Sequence, residues 1–120
     1  MKDRPRVLVV DDDPDVSAML NLSLTRRGFQ IDSLTSPEEA LQRAETVSYD
    51  AAVLDLVMPG RDGAQLAKAL RTRMPGLPVA VLTGYTHSPL LADFKHPGLA
   101  IFIKPVIIQD LVEFLQAEIS

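Results

Sequence analysis

The sequence predicts an α/β protein with a doubly wound, five-stranded parallel sheet and five helices packed on both faces. Short apolar runs alternate five times with segments whose apolar residues recur at helical spacing. Such alternation requires right-handed crossovers, which place helices on both sides of a parallel sheet. No linker, repeat or low-complexity stretch interrupts the pattern, so we expect residues 1–120 to form a single domain.

Composition narrows the class of protein. The 120 residues are 47% hydrophobic and 23% charged, which suits one ordinary globular domain. A net charge of −4 and a pI near 5.0 argue against nucleic acid as a direct partner of this domain. The chain has no cysteine, which rules out disulfides and thiolate metal sites. No apolar run approaches the length of a membrane span, and we expect a cytoplasmic protein.

Five short segments are predicted to be strands. Residues 6–10, 51–54 and 78–82 are apolar at nearly every position, as in strands buried on both faces of a sheet. Residues 29–34 alternate polar and apolar side chains, so we expect this strand near an edge. Residues 100–103 form the last strand.

Start signals mark the first two helices. Asp13 is the predicted N-cap of the first, with Pro14 at the first helical position. Ser36 and Glu39 are spaced as a capping box at the start of the second. The other three helices are predicted within residues 64–74, 86–98 and 107–119. Proline and glycine leave room for only about two turns in the fourth.

Four of the five strands end in polar residues that carry potential chemistry. Asp11 and Asp12 follow the first strand, Asp55 the third, Thr83 the fourth and Lys104 the fifth. The carboxyl ends of parallel strands meet at one edge of the sheet, where open α/β sheets bind ligands. Carboxylates are the hard oxygen ligands that Mg²⁺ prefers, while a hydroxyl and an ammonium group can bind phosphoryl oxygens. The set therefore predicts a site for Mg²⁺ together with a phosphoryl group.

These residues lie in the stretches VLVVDDDPD, VLDLVMPGRDG, VLTGY and FIKP. With these motifs in this order, the chain resembles a response-regulator receiver domain over its full length. The resemblance implies the sheet order 2-1-3-4-5. It also implies that Asp55 accepts a phosphoryl group from a histidine kinase, a phosphotransfer protein or a small phosphodonor, and that Thr83 and Lys104 bind the phosphoryl oxygens. Such a protein is a signalling switch that catalyses its own modification rather than a conventional enzyme.

The resemblance also implies a metal site and a reset step. Asp12, Asp55 and the main-chain carbonyl of Val57 would ligate Mg²⁺ directly, and Asp11 would act through water. Val57 and Tyr85 occupy the positions whose side chains tune hydrolysis of the acyl phosphate in the family. Neither is a carboxamide or a carboxylate, which could position a water molecule, although Tyr85 keeps a hydroxyl group.

One departure from the family concerns the output surface, which comprises the fourth helix, the fifth strand and the fifth helix. Many receivers carry Tyr or Phe three residues before the lysine, whereas this chain has Ile101. Phe102 is aromatic, but in a strand it should face the opposite side. The resemblance implies a cis peptide bond between Lys104 and Pro105. We expect the output surface to contact a downstream protein, an effector domain or a second copy of the chain.

Three other interpretations stay open at this stage. The first is a Mg²⁺-dependent phosphohydrolase of the haloacid dehalogenase type, with Asp11 as nucleophile and Asp13 as acid and base. The chain has no residues for a cap domain and lacks the hydroxyl residue expected after Asp13. The second is a binding module that works without phosphorylation, which loss of Asp55 or Lys104 would favour; both are present. The third is a receiver that belongs to a longer kinase or transcription factor.

Overall fold

The computed structural model describes residues 4–84 and 96–119. The strands are Arg6–Val10 (β1), Gln30–Leu34 (β2), Ala51–Asp55 (β3), Val79–Thr83 (β4) and Leu99–Ile103 (β5). The helices within the described residues are Pro14–Arg26 (α1), Pro37–Ala44 (α2), Gly63–Arg73 (α3) and Ile108–Ile119 (α4). The helix predicted between the fourth and fifth strands lies mostly outside the described residues, and so does Tyr85.

The strands form one parallel sheet in the order β2-β1-β3-β4-β5. This order and the all-parallel pairing confirm the predicted fold class. The alternating strand, β2, lies at an edge as expected, and its five residues are only partly buried. By contrast, every residue of β3 and β4 is buried, because these central strands are covered on both faces.

The core consists of two apolar clusters, one on each face of the sheet. Successive side chains of a strand point to opposite faces, so β1, β3 and β4 contribute to both clusters. One cluster packs against α2 and α3, and includes Leu66 and Leu70. The other packs against α1 and α4, and includes Leu20 and Leu115. The described helices therefore cover both faces, which is what a doubly wound sheet requires.

The predicted strand boundaries differ from the structure by about one residue. β4 begins at Val79 rather than Pro78, because proline has no amide hydrogen to donate to the ladder. It extends to Thr83, which is thus the last residue of the strand. Phe29 lies before β2 and is buried as a core residue. These shifts leave the polar residues that follow the strands at the same edge of the sheet.

Asp13 and Ser36 cap the first two helices as predicted, but the capping box predicted at Ser36 is only half formed, because the side chain of Glu39 accepts no hydrogen bond from the amide of Ser36. The side chain of Asp13 accepts a hydrogen bond from the amide of Asp15, and Pro14 stands in the first turn. Ser36 Oγ accepts a hydrogen bond from the amide of Glu39 at 3.4 Å.

Among residues 4–84 and 96–119, no helix has both the length and the apolar character needed to cross a membrane.

Tyr49 lies in the turn before β3 and connects that turn to the edge strand. Its hydroxyl group donates a hydrogen bond to Asp32 Oδ2 at 2.7 Å, and Arg43 Nη1 lies 3.7 Å from the same oxygen. Burial of the ring is the main cause that raises the pKa of Tyr49 far above its usual value of 10.0, and the Asp32 carboxylate adds to the effect.

We expect Tyr49→Phe to lower the free energy of unfolding at pH 7 by about 1–2 kcal/mol, since it removes one charge-assisted hydrogen bond and keeps the ring. In the wild type, unfolded Tyr49 loses its proton near pH 10.0 while the folded residue keeps it, so stability falls as the pH rises above that value. The variant lacks this contribution. The difference in stability between the two proteins should narrow above pH 10, as urea unfolding from pH 7 to 11 would show. A difference that widens would contradict this account.

Candidate functional site

Five polar side chains lie at the carboxyl edge of the sheet, where the sequence predicts them. Asp11 and Asp12 follow β1, and the pairing of β1 with β3 places Asp11 beside Asp55, the last residue of β3. Thr83 ends β4, one residue beyond the pairing partner of Asp55. The amide of Lys104 donates a hydrogen bond to the main-chain oxygen of Thr83 at 2.8 Å. The topology thus brings the ends of four strands together.

Lys104 makes the closest charged contacts of the site. Its Nζ lies 2.9 Å from Asp55 Oδ1, the distance of a charge-assisted hydrogen bond. The same atom lies 3.5 Å from Asp11 Oδ2, an ion pair without a short hydrogen bond. Because β4 separates β3 from β5 in the sheet, the lysine side chain reaches past the end of β4, where Thr83 lies. The ammonium group therefore links the ends of three strands.

Burial sets the electrostatics of the site. Desolvation is the main cause that raises the pKa of Asp55 above its usual value; the hydrogen bond from Lys104 opposes this shift, and the charge of Asp11 adds to it. Burial by itself would lower the pKa of Lys104, but its contacts with Asp55 and Asp11 outweigh that effect and raise it. Lys104 is therefore held in its charged form, while two buried carboxylates share this one cation.

The carboxylates are arranged so that they could hold a metal ion. One oxygen from each of Asp11, Asp12 and Asp55 lies within 4.8 Å of the others. Asp11 Oδ1 accepts a hydrogen bond from the amide of Asp13 at 2.9 Å. Asp11 Oδ2 is buried, and no group in residues 4–84 and 96–119 donates a hydrogen bond to it. A divalent cation among these oxygens would satisfy this atom and offset the repulsion of the carboxylates, so the residues present fit such an ion.

Asp13 stands outside this cluster. Its side chain accepts a hydrogen bond from the amide of Asp15 at 2.9 Å and caps α1, and the residue is exposed. Asp11, in contrast, is only 1% exposed. The haloacid dehalogenase interpretation needs Asp11 as an accessible nucleophile with Asp13 beside it as acid and base. The geometry offers no support for that pair.

The loop after Asp55 ends in a helix cap that the sequence analysis did not predict. Asp62 is the N-cap of α3: its Oδ1 accepts a hydrogen bond from the amide of Gln65 at 2.8 Å, and Gln65 Oε1 accepts one from the amide of Asp62 at 3.1 Å. This reciprocal capping box starts the helix at Gly63 rather than at Ala64. The spacing of aspartate and glutamine three residues apart is the signal that could have found it.

The expected switch residues are only partly described. Ile101 is 41% exposed, whereas Phe102 packs on the other face of β5, its ring centroid 5.7 Å from that of Phe114. The two side chains therefore face opposite sides, as expected. The peptide bond between Lys104 and Pro105 is cis. Val57, two residues after Asp55, is 58% exposed.

A parallel sheet in the order 2-1-3-4-5, with an acidic cluster and a lysine at its carboxyl edge, defines a flavodoxin-like receiver fold. Comparison with known proteins agrees with this class. The family model for the response regulator receiver domain matches residues 7–116. The transcriptional regulatory protein PrrA of Mycobacterium leprae (strain TN) is 37% identical over 114 residues, which cover 94% of this chain and 49% of that protein.

Comparison with solved structures agrees with the same class of protein. A sensor protein from Polaromonas sp. JS666 has a TM-score of 0.85 and 32% identity, with 97% of this chain and 96% of that chain covered. The receiver domain of the Francisella response regulator 1452 has a TM-score of 0.85 and 27% identity, with 97% of each chain covered. The chain therefore belongs to the response regulator receiver domain family of two-component signalling. It spans about half the length of the curated relatives that it matches.

Proposed function

We propose that Asp55 is the phosphoryl acceptor of this receiver domain and that its modification switches the protein between two signalling states. The observation that carries the proposal is the contact of 2.9 Å between Lys104 Nζ and Asp55 Oδ1 in a site that also contains Asp11 and Asp12. The ammonium group of Lys104 lies against the Asp55 carboxylate that is to react, while the carboxylates of Asp11 and Asp12 could bind a second cation. This is the charge pattern that transfer of an anionic group to an anionic nucleophile requires.

The proposed reaction is an in-line displacement at phosphorus. A carboxylate oxygen of Asp55 forms a bond to phosphorus while the bond from phosphorus to the donor breaks. For a phosphohistidine donor, the electron pair of that bond returns to the imidazole nitrogen. The product is an acyl phosphate, which an attacking water molecule hydrolyses to restore the carboxylate. Lys104 would stabilise the negative charge on the phosphoryl oxygens, and Thr83 would donate a hydrogen bond to one of them.

The proposed cofactor is Mg²⁺. Asp12, Asp55 and the main-chain carbonyl of Val57 would hold it directly, and Asp11 would contribute through a water molecule. Bound Mg²⁺ neutralises phosphoryl oxygens in such reactions. The buried Asp11 Oδ2, which has no hydrogen-bond donor within the described residues, supports a cation at this place. Asp12 is exposed, so the site is open to solvent on the side where a donor would approach.

The proposed partners are a histidine kinase or phosphotransfer protein upstream, and a downstream protein, an effector domain or a second copy of the chain. The output surface would include Ile101 and Ile103, which are 41% and 44% exposed on β5. PrrA is named as a transcriptional regulatory protein, so the expectation that this domain does not contact nucleic acid directly stays a prediction. The single-domain boundary at residues 1–120 and the cytoplasmic location also stay predictions.

Incubation with acetyl phosphate and Mg²⁺ should add the mass of one phosphoryl group to the wild-type chain. Asp55→Ala should abolish this increment, because the nucleophile is lost. Asp13→Ala is the matched control: it should keep the increment and lose roughly 1 kcal/mol of stability, since Asp13 only caps α1. Intact mass spectrometry reads the increment. A labelled Asp55→Ala protein, or an inert Asp13→Ala protein that is folded, would overturn the assignment.

Asp12→Asn should weaken Mg²⁺ binding, because a neutral amide replaces one charged oxygen ligand. Asp13→Asn is a matched control next to it in the sequence, since asparagine caps a helix about as well as aspartate. We expect an increase of about tenfold or more in the Mg²⁺ dissociation constant for Asp12→Asn and almost no change for Asp13→Asn. Amide chemical shifts in a Mg²⁺ titration measure both constants. Equal constants for the two variants would remove Asp12 from the metal site.

We expect modification of Asp55 to change the conformation of the output surface. Ile101 is β-branched and stiff at χ1, so the inward swing of an aromatic ring is unavailable here. We expect hydrogen exchange with beryllofluoride and Mg²⁺ to change protection at residues 86–103. Residues 86–95 of this segment lie outside the described residues, so for them the expectation comes from the sequence. Changes confined to the loop after Asp55 would show that the signal leaves by another surface.

A further inference from the structure

Gly63, the first residue of α3, makes a close backbone approach to the acceptor residue. A Cβ atom at this position would overlap the main-chain oxygen of Asp55 and lie 3.0 Å from both its carbonyl carbon and the Cα atom of Leu56. The amide of Gly63 donates a hydrogen bond to the main-chain oxygen of Leu56 at 2.7 Å. Gly63 is not among the glycines with a positive φ angle. Its lack of a side chain is therefore required by space and not by backbone conformation.

The helix on one side of this contact is held in place. The reciprocal bonds between Asp62 and Gln65 fix the first turn of α3. One turn further, Leu66 is fully buried in the core cluster beneath the helix, and so is Leu70. Withdrawal of α3 by the width of a methyl group would open a void under these leucines.

The strand on the other side is held as well. The amide of Leu56 donates a hydrogen bond to the main-chain oxygen of Leu82 at 2.9 Å, and the side chain of Leu56 is fully buried. In the loop 57–60, Val57, Pro59 and Gly60 are exposed, while the side chain of Met58 is buried in the core cluster beneath α3. A side chain at position 63 would therefore press on the peptide after Asp55, and room for it would come from displacement of that peptide at the expense of the bond from the Leu56 amide to Leu82.

We propose that Gly63 is a positioning residue for the acceptor. The absence of a side chain lets the start of α3 close against the end of β3, and this contact holds the backbone of Asp55 where its carboxylate meets Lys104. The same contact fixes the start of the loop that contains Val57, whose carbonyl oxygen is a proposed Mg²⁺ ligand. The inference rests on the proposed role of Asp55 in phosphoryl transfer.

The test compares Gly63→Ala with Gly76→Ala. Gly76 lies in the turn after α3, at the opposite edge of the sheet. It has a φ angle of 81°, and a Cβ atom there would have no neighbour within 4 Å. Alanine at this position introduces backbone strain without touching the site, so it controls for a general loss of stability. Both variants keep every residue that is proposed to contact Mg²⁺ or the phosphoryl group.

Two readouts separate positioning from a merely structural role. The first is the rate of acetyl phosphate labelling at saturating Mg²⁺. We expect Gly63→Ala to be slower by on the order of tenfold to a hundredfold, because small displacements of reacting groups have effects of this size. The second is the Mg²⁺ dissociation constant from amide shifts, which should rise in Gly63→Ala. Gly76→Ala should match the wild type in both readouts, whatever its loss of stability.

The outcomes distinguish this inference from the proposed function. If neither the wild type nor Gly76→Ala is labelled, the role of Asp55 itself fails. If both are labelled and Gly63→Ala matches them in rate and in Mg²⁺ affinity, only the positioning role of Gly63 is wrong. If Gly63→Ala unfolds under these conditions, all three proteins are compared in trimethylamine N-oxide, which favours the compact state. A folded Gly63→Ala protein with wild-type labelling there would equally overturn the inference.

Discussion

The ion pair between Lys104 and Asp55 depends on strands that do not touch each other. β3 and β5 lie on either side of β4, so their ends meet only because the lysine side chain reaches across the end of the strand between them. This requires all three strands to be parallel and in register. The pairing of buried β3 and β4 supplies that alignment, since a slip by one residue would move every side chain of the strand from one core cluster to the other and disrupt the packing of both.

The charge balance of the site follows from this arrangement. Asp55 and Asp11 are both buried, and one ammonium group lies against them. In a medium with an effective dielectric constant of about 20, two like charges 4 Å apart repel by roughly 4 kcal/mol. The site is thus short of positive charge by itself. A bound cation would relieve the repulsion, and in the proposed reaction that cation and Lys104 would both offset the charge of the incoming group.

The support beneath Asp55 comes from the backbone rather than from a further charged group. The start of α3 lies close against the end of β3, where Gly63 has no side chain, and buried Leu66 and Leu70 hold the helix on the sheet. Val57 lies in the exposed part of the loop between β3 and α3. A buried strand followed by a partly exposed loop would suit the proposed role of Asp55, which must keep its orientation while its ligands change.

The sequence by itself determined the fold class, the pairing of strand ends with polar residues, and the caps at Asp13 and Ser36, because each depends on local periodicity or on a short pattern. It identified Ile101 and Phe102 as facing opposite sides, which follows from the two-residue period of a strand. Only the tertiary structure decided the contact of Lys104 with Asp55, the lack of a hydrogen-bond donor to Asp11 Oδ2 within the described residues, and the overlap that a side chain at Gly63 would cause. Each of these joins residues from separate elements, and no local pattern encodes the distance between elements.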